Sequence, residues 1–215
     1  MPYGLGAATW GMGGTADKRS PARKIYKERV SKSRYSGSGT LKDRVLNKQA
    51  QKFENWDVAP GPEYFEELFR VSKNQIIWGG NYFSLPPTRC VICWDKVQPW
   101  ENFSQIELAW TSFDYPAKLF RQDNRLPGKI HATQKPTSLY SWIFKNFTEG
   151  GMKVLDTHMG SQSSRIAAYY AGLDFYGCEI DPDYFRSGCE RFEKECLGIE
   201  VINGHKIVQP TLFDL

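Results

Sequence analysis

The 215-residue chain is short of cysteine, and the cysteines it has are poorly spaced for chemistry. Five is an odd number, and the nearest approach to a paired motif is a lone Cys90-Val-Ile-Cys93 in an apolar run. That pattern argues against a disulfide framework and against a zinc site, and it fits a reduced compartment, so a cytoplasmic protein is expected. Long hydrophobic runs are also missing. No stretch reaches the roughly 18 apolar residues of a membrane span, and the N-terminus does not read as a signal peptide. Acidic residues are scarce in one region. From Lys18 to Lys52 there are 12 Lys and Arg against Glu28 and Asp43, a surplus of ten. The whole chain carries only +4, so the remainder is at −6. A positive field concentrated in one segment suits a polyanion such as nucleic acid; the alternative is a solvated basic loop.

The apolar mass that is present, 40% of residues, is enough for a packed core. Residues 1–60 do not contribute a regular pattern to it. The Gly-rich start, MPYGLGAATWGMGG, and the polar basic stretch with SGSGT at 36–40 predict a loop or insertion. From about Gly61 onward helix and strand periodicities alternate. A helix opens at Pro62 and Glu63 with Tyr64, Leu68 and Val71 on its apolar side. Strands are expected at Gln75–Trp78, in CVICWDK, and within 100–113. The stretch DYPAKLFRQDNRLPGK reads as irregular. A helix is expected over about Thr137–Phe147, and another over Asp181–Cys196 with Asp183 as candidate cap. The tail holds one weak strand. This order predicts an α/β fold, a doubly wound, mostly parallel sheet covered on both faces. Two regions are expected: 1–60, and a domain over 61–215 with a recognition segment at 97–128 that holds Trp100, Phe103, Arg121 and Arg125.

The chain is organised around Lys153–Asp181. Val154 and Leu155 form a strand that ends in Asp156; a polar turn, Thr157, His158, Met159, Gly160 and Ser161, leads into the helix SSRIAAYYAG; a second strand over Phe175–Cys178 ends in Glu179. Acidic residues close both strands, 23 positions apart. In nucleotide-binding βαβ units an acid about 20 residues beyond the first turn takes ribose hydroxyls. The turn has one glycine, too few for the close approach of a pyrophosphate, so a ribose-bearing cofactor without a diphosphate fits better. S-adenosylmethionine (SAM) is the obvious one. An ordinary βαβ unit with solvated acids is the other reading.

Several further pieces fall in a definite order: MPYG at the start, then WDVAPGPEYFEELF, NQIIWGGNYF, ICWDK at 92–96, QPWENFSQIELAWTSF, HATQKP at 131–136, and finally the βαβ unit. This ensemble resembles phage and bacterial SAM-dependent DNA amino-methyltransferases of the permuted, beta-type order. The resemblance covers most of 54–195 and implies the SAM-methyltransferase (Rossmann-like) fold. It also implies roles for particular residues. Asp156, Thr157, His158, Met159, Gly160, Ser161 and Ser163 would floor the SAM pocket, and Glu179 would accept hydrogen bonds from the ribose. His131, Thr133, Gln134, Lys135 and Pro136 would lie against the methionine end, where Lys135 could pair with its carboxylate.

In that family an Asp-Pro-Pro-Tyr motif holds the exocyclic amine of a base flipped out of the duplex and aims it at the methyl donor for direct in-line transfer, without a metal. Here Pro2 and Tyr3 match the end of the motif. Its acidic residue and the strand that carries it would lie upstream of Met1, so the resemblance implies a catalytic strand missing from the given chain. A fragment or miscalled start, or a decayed gene that retains only DNA or SAM binding, are the expected explanations. Tyr3 and the subfamily resemblance favour adenine N6 over cytosine N4 as the target. The basic residues Lys18, Arg19, Arg23, Lys24, Lys27, Arg29, Lys32 and Arg34 are candidate contacts to duplex DNA phosphates. Gln209-Pro210-Thr211-Leu212-Phe213 resembles the short peptide by which bacterial proteins dock on the replication sliding clamp.

Overall fold

A computed structural model describes residues 59–98, 104–125, 128–131, 133–202 and 205–208. Pro2, Tyr3, the basic residues from Lys18 to Arg34, Trp100, Phe103 and the clamp-like peptide Gln209–Phe213 lie outside them. The chain divides into two compact units, Met1–Leu119 and Phe120–Leu215.

In the first unit helix α1 spans Pro62–Val71, with proline at its first position, where the missing N–H costs nothing. The apolar side is shifted slightly from the expected one. Tyr64, Phe65 and Leu68 are half-buried, whereas Val71 is exposed. Phe65 meets Phe83 at 4.9 Å between ring centroids, and Phe69 meets Trp110 edge-on at 5.9 Å. Strands β1 (Ile76–Trp78), β2 (Val91–Asp95) and β3 (Ile106–Thr111) follow, then β4 (Lys118–Arg121), inside which the two units divide. The sheet order is β1-β3-β2-β4. Both β1 and β2 pair with β3 antiparallel, in the registers Ile77↔Trp110 and Cys93↔Leu108. Ile77, Cys90, Ile92, Trp94 and Ala109 make a dry core, with Trp78 set edge-on to Trp94 at 6.3 Å. Gly79, at φ 68, ends β1; a side chain on the next residue, Gly80, would strike Trp110 Cβ at 2.4 Å.

The second unit contains α2 (Thr137–Phe147), β5 (Lys153–Asp156), α3 (Ser163–Tyr170), β6 (Asp174–Gly177), α4 (Pro182–Leu197) and the strands β7 (Ile199–Ile202) and β8 (His205–Val208). β5 and β6 run parallel, with Asp156 opposite Gly177. α2 buries Leu139, Ile143 and Phe147 at a four-residue spacing, and α3 buries Ile166, Ala167 and Ala168. The two helices pack on each other, where the small alanines of α3 allow close approach.

The α/β class expected from the sequence stands, but the strands are mixed rather than mostly parallel. The cause is connection length. Ten residues, Lys96–Gln105, join β2 to β3, too few for a parallel crossover, whereas Thr157–Leu173 carries α3 between β5 and β6. Three local expectations change. The stretch read as irregular contains β4. The tail forms two antiparallel strands, β7 and β8, rather than one. The cap of α4 is Asp181, whose Oδ1 accepts from the backbone N–H of Asp183 at 2.8 Å and of Tyr184 at 3.1 Å. Pro182 at the first helical position fixes Asp181, not Asp183, as the residue outside the helix.

Candidate functional site

The site lies at the carboxyl ends of β5 and β6, where Asp156 and Glu179 close their strands. β6 is tied to the turn by backbone bonds: Cys178 N donates to Asp156 O, and Met159 N donates to Cys178 O, both at 2.9 Å. Met159 folds inward and is buried. Its sulfur occupies the space above Gly177, where an added Cβ would lie 2.6 Å from Sδ. From Met159 to Ser164 every residue is buried, while Asp156, Thr157 and His158 are half-buried.

The two carboxylates have different surroundings. Asp156 Oδ1 accepts from the backbone N–H of His158 at 3.0 Å, and Oδ2 accepts from the Ser164 hydroxyl at 2.6 Å. Asp156 therefore pins the turn to the first residues of α3. Glu179 spans two segments: Oε2 accepts from Gly160 N and Oε1 from Asp181 N, both at 2.9 Å. These bonds hold the carboxylate in one orientation and leave a lone pair on each oxygen for another donor. The adjacent Ile180 is 87% exposed, an apolar side chain held out beside an anchored acid.

His131 covers the turn from the other side. Its ring carbons and Nε2 lie 3.4–3.6 Å from where a Cβ on Gly160 would sit, and its ring is 4.2 Å from that of Tyr184. His131 Nδ1 faces the Thr133 backbone N–H at 3.2 Å and the Thr133 hydroxyl at 3.1 Å. A backbone N–H can only donate, so Nδ1 is the acceptor and Nε2 carries the proton of the neutral ring. Burial, aided by nearby positive charge that includes Lys135, pulls the His131 pKa down to about 4. Burial does the same to His158, also to about 4, against the opposing charge of Asp156. Both rings are neutral at pH 7.

The remaining sequence-predicted residues fall on the frame of the site. Gln134, buried, accepts from Ile130 N through its side-chain oxygen at 3.0 Å, and its own backbone N–H donates to His131 O at 3.1 Å, which shapes the loop that presents His131. Lys135 and Pro136 are buried ahead of α2, and Thr133 is exposed. The Ser161 and Ser163 hydroxyls lie 3.2 Å apart and turn inward. In the segment 97–128, Ile106–Thr111 belongs to the sheet, and Arg125 pairs with Asp123.

Sequence reasoning missed three residues that hold or border the turn. Gln162 is fully buried at φ 59, a left-handed conformation rare for a residue with a side chain. Its amide donates to Phe185 O at 3.1 Å and accepts from Arg165 at 2.8 Å, and Gly188 makes room for it. Arg191 of α4 reaches Ser161 O and Ser163 Oγ. Ile180 is the third. Only Gly188, unfavourable in mid-helix by propensity, gave a sequence signal of close approach. An open cleft of about 340 Å³ between the C-terminal ends of α2 and α3 is a separate feature. Its residues Glu149, Gly150 and Leu173 lead into β5 and β6, so it lies at the opposite strand ends from the two acids.

Comparison with known proteins gives the family. Residues 19–190 match the family model described as DNA methylase, of the N6/N4 methyltransferases. The chain is 26% identical over 136 residues to the type II methyltransferase M2.DpnII of Streptococcus pneumoniae, covering 63% of this chain and 48% of that protein. It thus spans about half the length of that relative. Among solved structures, the M1.HpyAVI–SAM complex matches at 22% identity over 47% of this chain and 60% of that chain, with a TM-score of 0.41. The SAM complex of TTHA0409, a putative DNA modification methylase from Thermus thermophilus, matches at 22% identity over 54% of each chain, with a TM-score of 0.38. The family model extends over four-fifths of the sequence and takes in the turn, both strand-end acids and the HATQKP segment, and on that ground the chain belongs to the N6/N4 DNA methylase family.

Proposed function

We propose that the second unit binds SAM and that the protein transfers its methyl group to the exocyclic N6 of adenine in duplex DNA. The observation that carries the reading is Glu179, fixed by Gly160 N and Asp181 N at the carboxyl end of a parallel strand. Vicinal ribose hydroxyls need a rigid acceptor with lone pairs to spare, and this carboxylate is one. Ile180, exposed next to it, offers an apolar surface to the flat face of an adenine ring. The residues present therefore fit an adenosyl group. SAM, when bound, supplies an electrophilic methyl.

The chain's own contribution is to fix that donor and shield it. Asp156 holds the turn against α3, while His131 and Tyr184 form a wall over Gly160. His131, neutral with its proton on Nε2, is a donor that adds no second positive charge beside a sulfonium. Lys135, buried at the entry to α2, would meet the methionine carboxylate. Tyr3, preceded by Pro2 of the same motif, would stack against the flipped base, and the basic residues Lys18–Arg34 would follow the phosphate backbone. The solved M1.HpyAVI and TTHA0409 proteins were each crystallised with SAM, which agrees with this cofactor. Adenine rather than cytosine rests on Tyr3 and on the subfamily resemblance.

The test is transfer of a labelled methyl group from SAM to duplex DNA, followed by nucleoside analysis. N6-methyladenine is the expected product. N4-methylcytosine would redirect the target. SAM binding with no transfer to any duplex would reduce the chain to a cofactor-binding portion, and no SAM binding at all would refute the site.

A further inference from the structure

The geometry points to Arg191 as a positioning residue that sets the spacing between the two segments of the cofactor pocket, the turn 156–163 and the 131–136 loop ahead of α2. Arg191 lies on α4 with its side chain only 16% exposed. One terminal nitrogen, Nη1, donates to Ser161 O at 3.0 Å and to Ser163 Oγ at 2.8 Å. The other, Nη2, donates to Thr137 Oγ1 at 3.1 Å. Nε is held by Glu195 at 2.6 Å, one helical turn along α4, which fixes the plane of the guanidinium. A single rigid fork thus joins the turn to the first residue of α2, and Thr137 directly follows Pro136 and Lys135.

The tie adds directed hydrogen bonds to the apolar packing of α2 on α3 and to the His131 ring over Gly160. The turn's own bonds run to α3 and to the β6 end, through Asp156 and Glu179. The bonds of Gln134 stay within its own loop. Arg191 crosses between the segments with charge-assisted bonds, each stronger than a neutral one. Lysine cannot replace it, since one ammonium point charge lacks the planar fork that reaches both segments in fixed geometry. The role assigned to Arg191 is positioning rather than contact with the cofactor or base. Arg191 acts through Ser161, Ser163 and Thr137, which sets the distance between the residues proposed for the two ends of SAM.

This inference rests on the SAM reading of the site, and the experiment separates the two. SAM affinity of the full chain is measured by calorimetry for wild type, Arg191→Lys, Thr137→Val and Thr137→Ser, with thermal midpoints and amide hydrogen exchange of the ligand-free proteins. Arg191→Lys should weaken SAM about tenfold, the loss expected for one or two charge-assisted bonds. Thr137→Val removes one acceptor without changing shape and should cost about threefold, whereas Thr137→Ser keeps the hydroxyl and should bind as wild type does. Exchange at Gly160–Ser163 and at 134–139 should quicken together in Arg191→Lys and in Thr137→Val. Equal SAM affinity in Arg191→Lys, Thr137→Val and wild type would overturn the inference, as would a Thr137→Ser protein as weak as Thr137→Val. If wild type itself bound no SAM, the SAM reading would fail; the tie would then stand or fall on whether exchange in the two segments changes together.

Discussion

The two units bury different chemistry. In the first, the fully buried positions are occupied by Ile77, Ile92, Trp94, Cys90 and Ala109, with Gln75 and Thr111 the polar exceptions among the described residues. The second has an apolar core too, with Leu139, Ile166 and Ala168 fully buried, but adds six buried polar residues: Gln134 and Lys135 in the loop ahead of α2, and Ser161, Gln162, Ser163 and Ser164 at the turn. A dry core needs only volume and shape. A polar interior must satisfy each donor and acceptor, and partly satisfied networks are costly. Gln162 shows the requirement most clearly. It holds a left-handed backbone, worth about 1–3 kcal/mol of strain, and the surrounding bonds to Phe185 O and Arg165 over-determine it. The other described non-glycine residue at positive φ is Val97, at φ 50 just past β2 in the first unit, but it is exposed, whereas Gln162 is fully buried and held by its neighbours.

Breaking the dry core should have the largest effect on stability. Trp94 is 1% exposed, and Trp94→Ala should cost about 3–5 kcal/mol, read by chemical denaturation. A loss below about 1 kcal/mol would mean that the first unit is not held by this cluster. Glu179→Gln sharpens the comparison from the other side. It should lower stability by only about 1 kcal/mol, because an amide oxygen can keep one of the two backbone bonds, while SAM affinity falls about tenfold or more. Equal SAM binding in the variant would remove Glu179 from the site. Asp156→Ala should also weaken SAM, but by loosening the turn, so it should lower the thermal midpoint as well.

Gly188→Ala tests the packing beneath the turn. The added methyl would lie 2.6 Å from Gln162 Cγ, and Gln162 is enclosed, so about 1–3 kcal/mol should be lost. A neutral outcome would show that Gln162 can move and that the turn is not locked.

A further prediction concerns pH. His131 and His158 have folded pKa values near 4, below the ordinary value of 6.5. Between those values the unfolded chain binds more protons than the folded one, so stability rises with pH through this window. Their contribution is complete above about pH 6.5 and is lost as pH falls toward about 4. His131→Gln and His158→Gln should each flatten the fall of the thermal midpoint over that range; an unchanged slope in both variants would contradict the burial argument.

Much of the second unit was legible because its signals are local. The expected helix at Thr137–Phe147 is α2, and the strand ending in Asp156 is β5. Acids at strand ends and a lone glycine in the turn are visible in a short window of sequence. β4 was not, since Lys118–Arg121 is only four residues long and follows Pro116 closely. The antiparallel pairing of β1 with β3 was not visible either, because the two strands lie far apart along the chain, whereas the short link between β2 and β3 could have marked theirs. The residues that brace the turn were hidden for the same reason. Arg191 lies 28 positions from Ser163 and 54 from Thr137, and in sequence it is one charge among many on a helix rich in Arg, Lys and Glu. Gln162 carries no helix or strand signal that distinguishes it from a polar loop residue.

The central claim is that Glu179, Gly160 and Ile180 form the cradle for the adenosyl group. Titration of isotopically labelled protein with SAM, followed by backbone amide and isoleucine methyl NMR signals, tests it most directly. The largest shifts should fall on the Gly160 and Asp181 amides, which already share the Glu179 carboxylate, and on the Ile180 methyls. Saturating SAM that leaves these three unmoved, or that shifts signals around the cleft of Glu149, Gly150 and Leu173 instead, would contradict it.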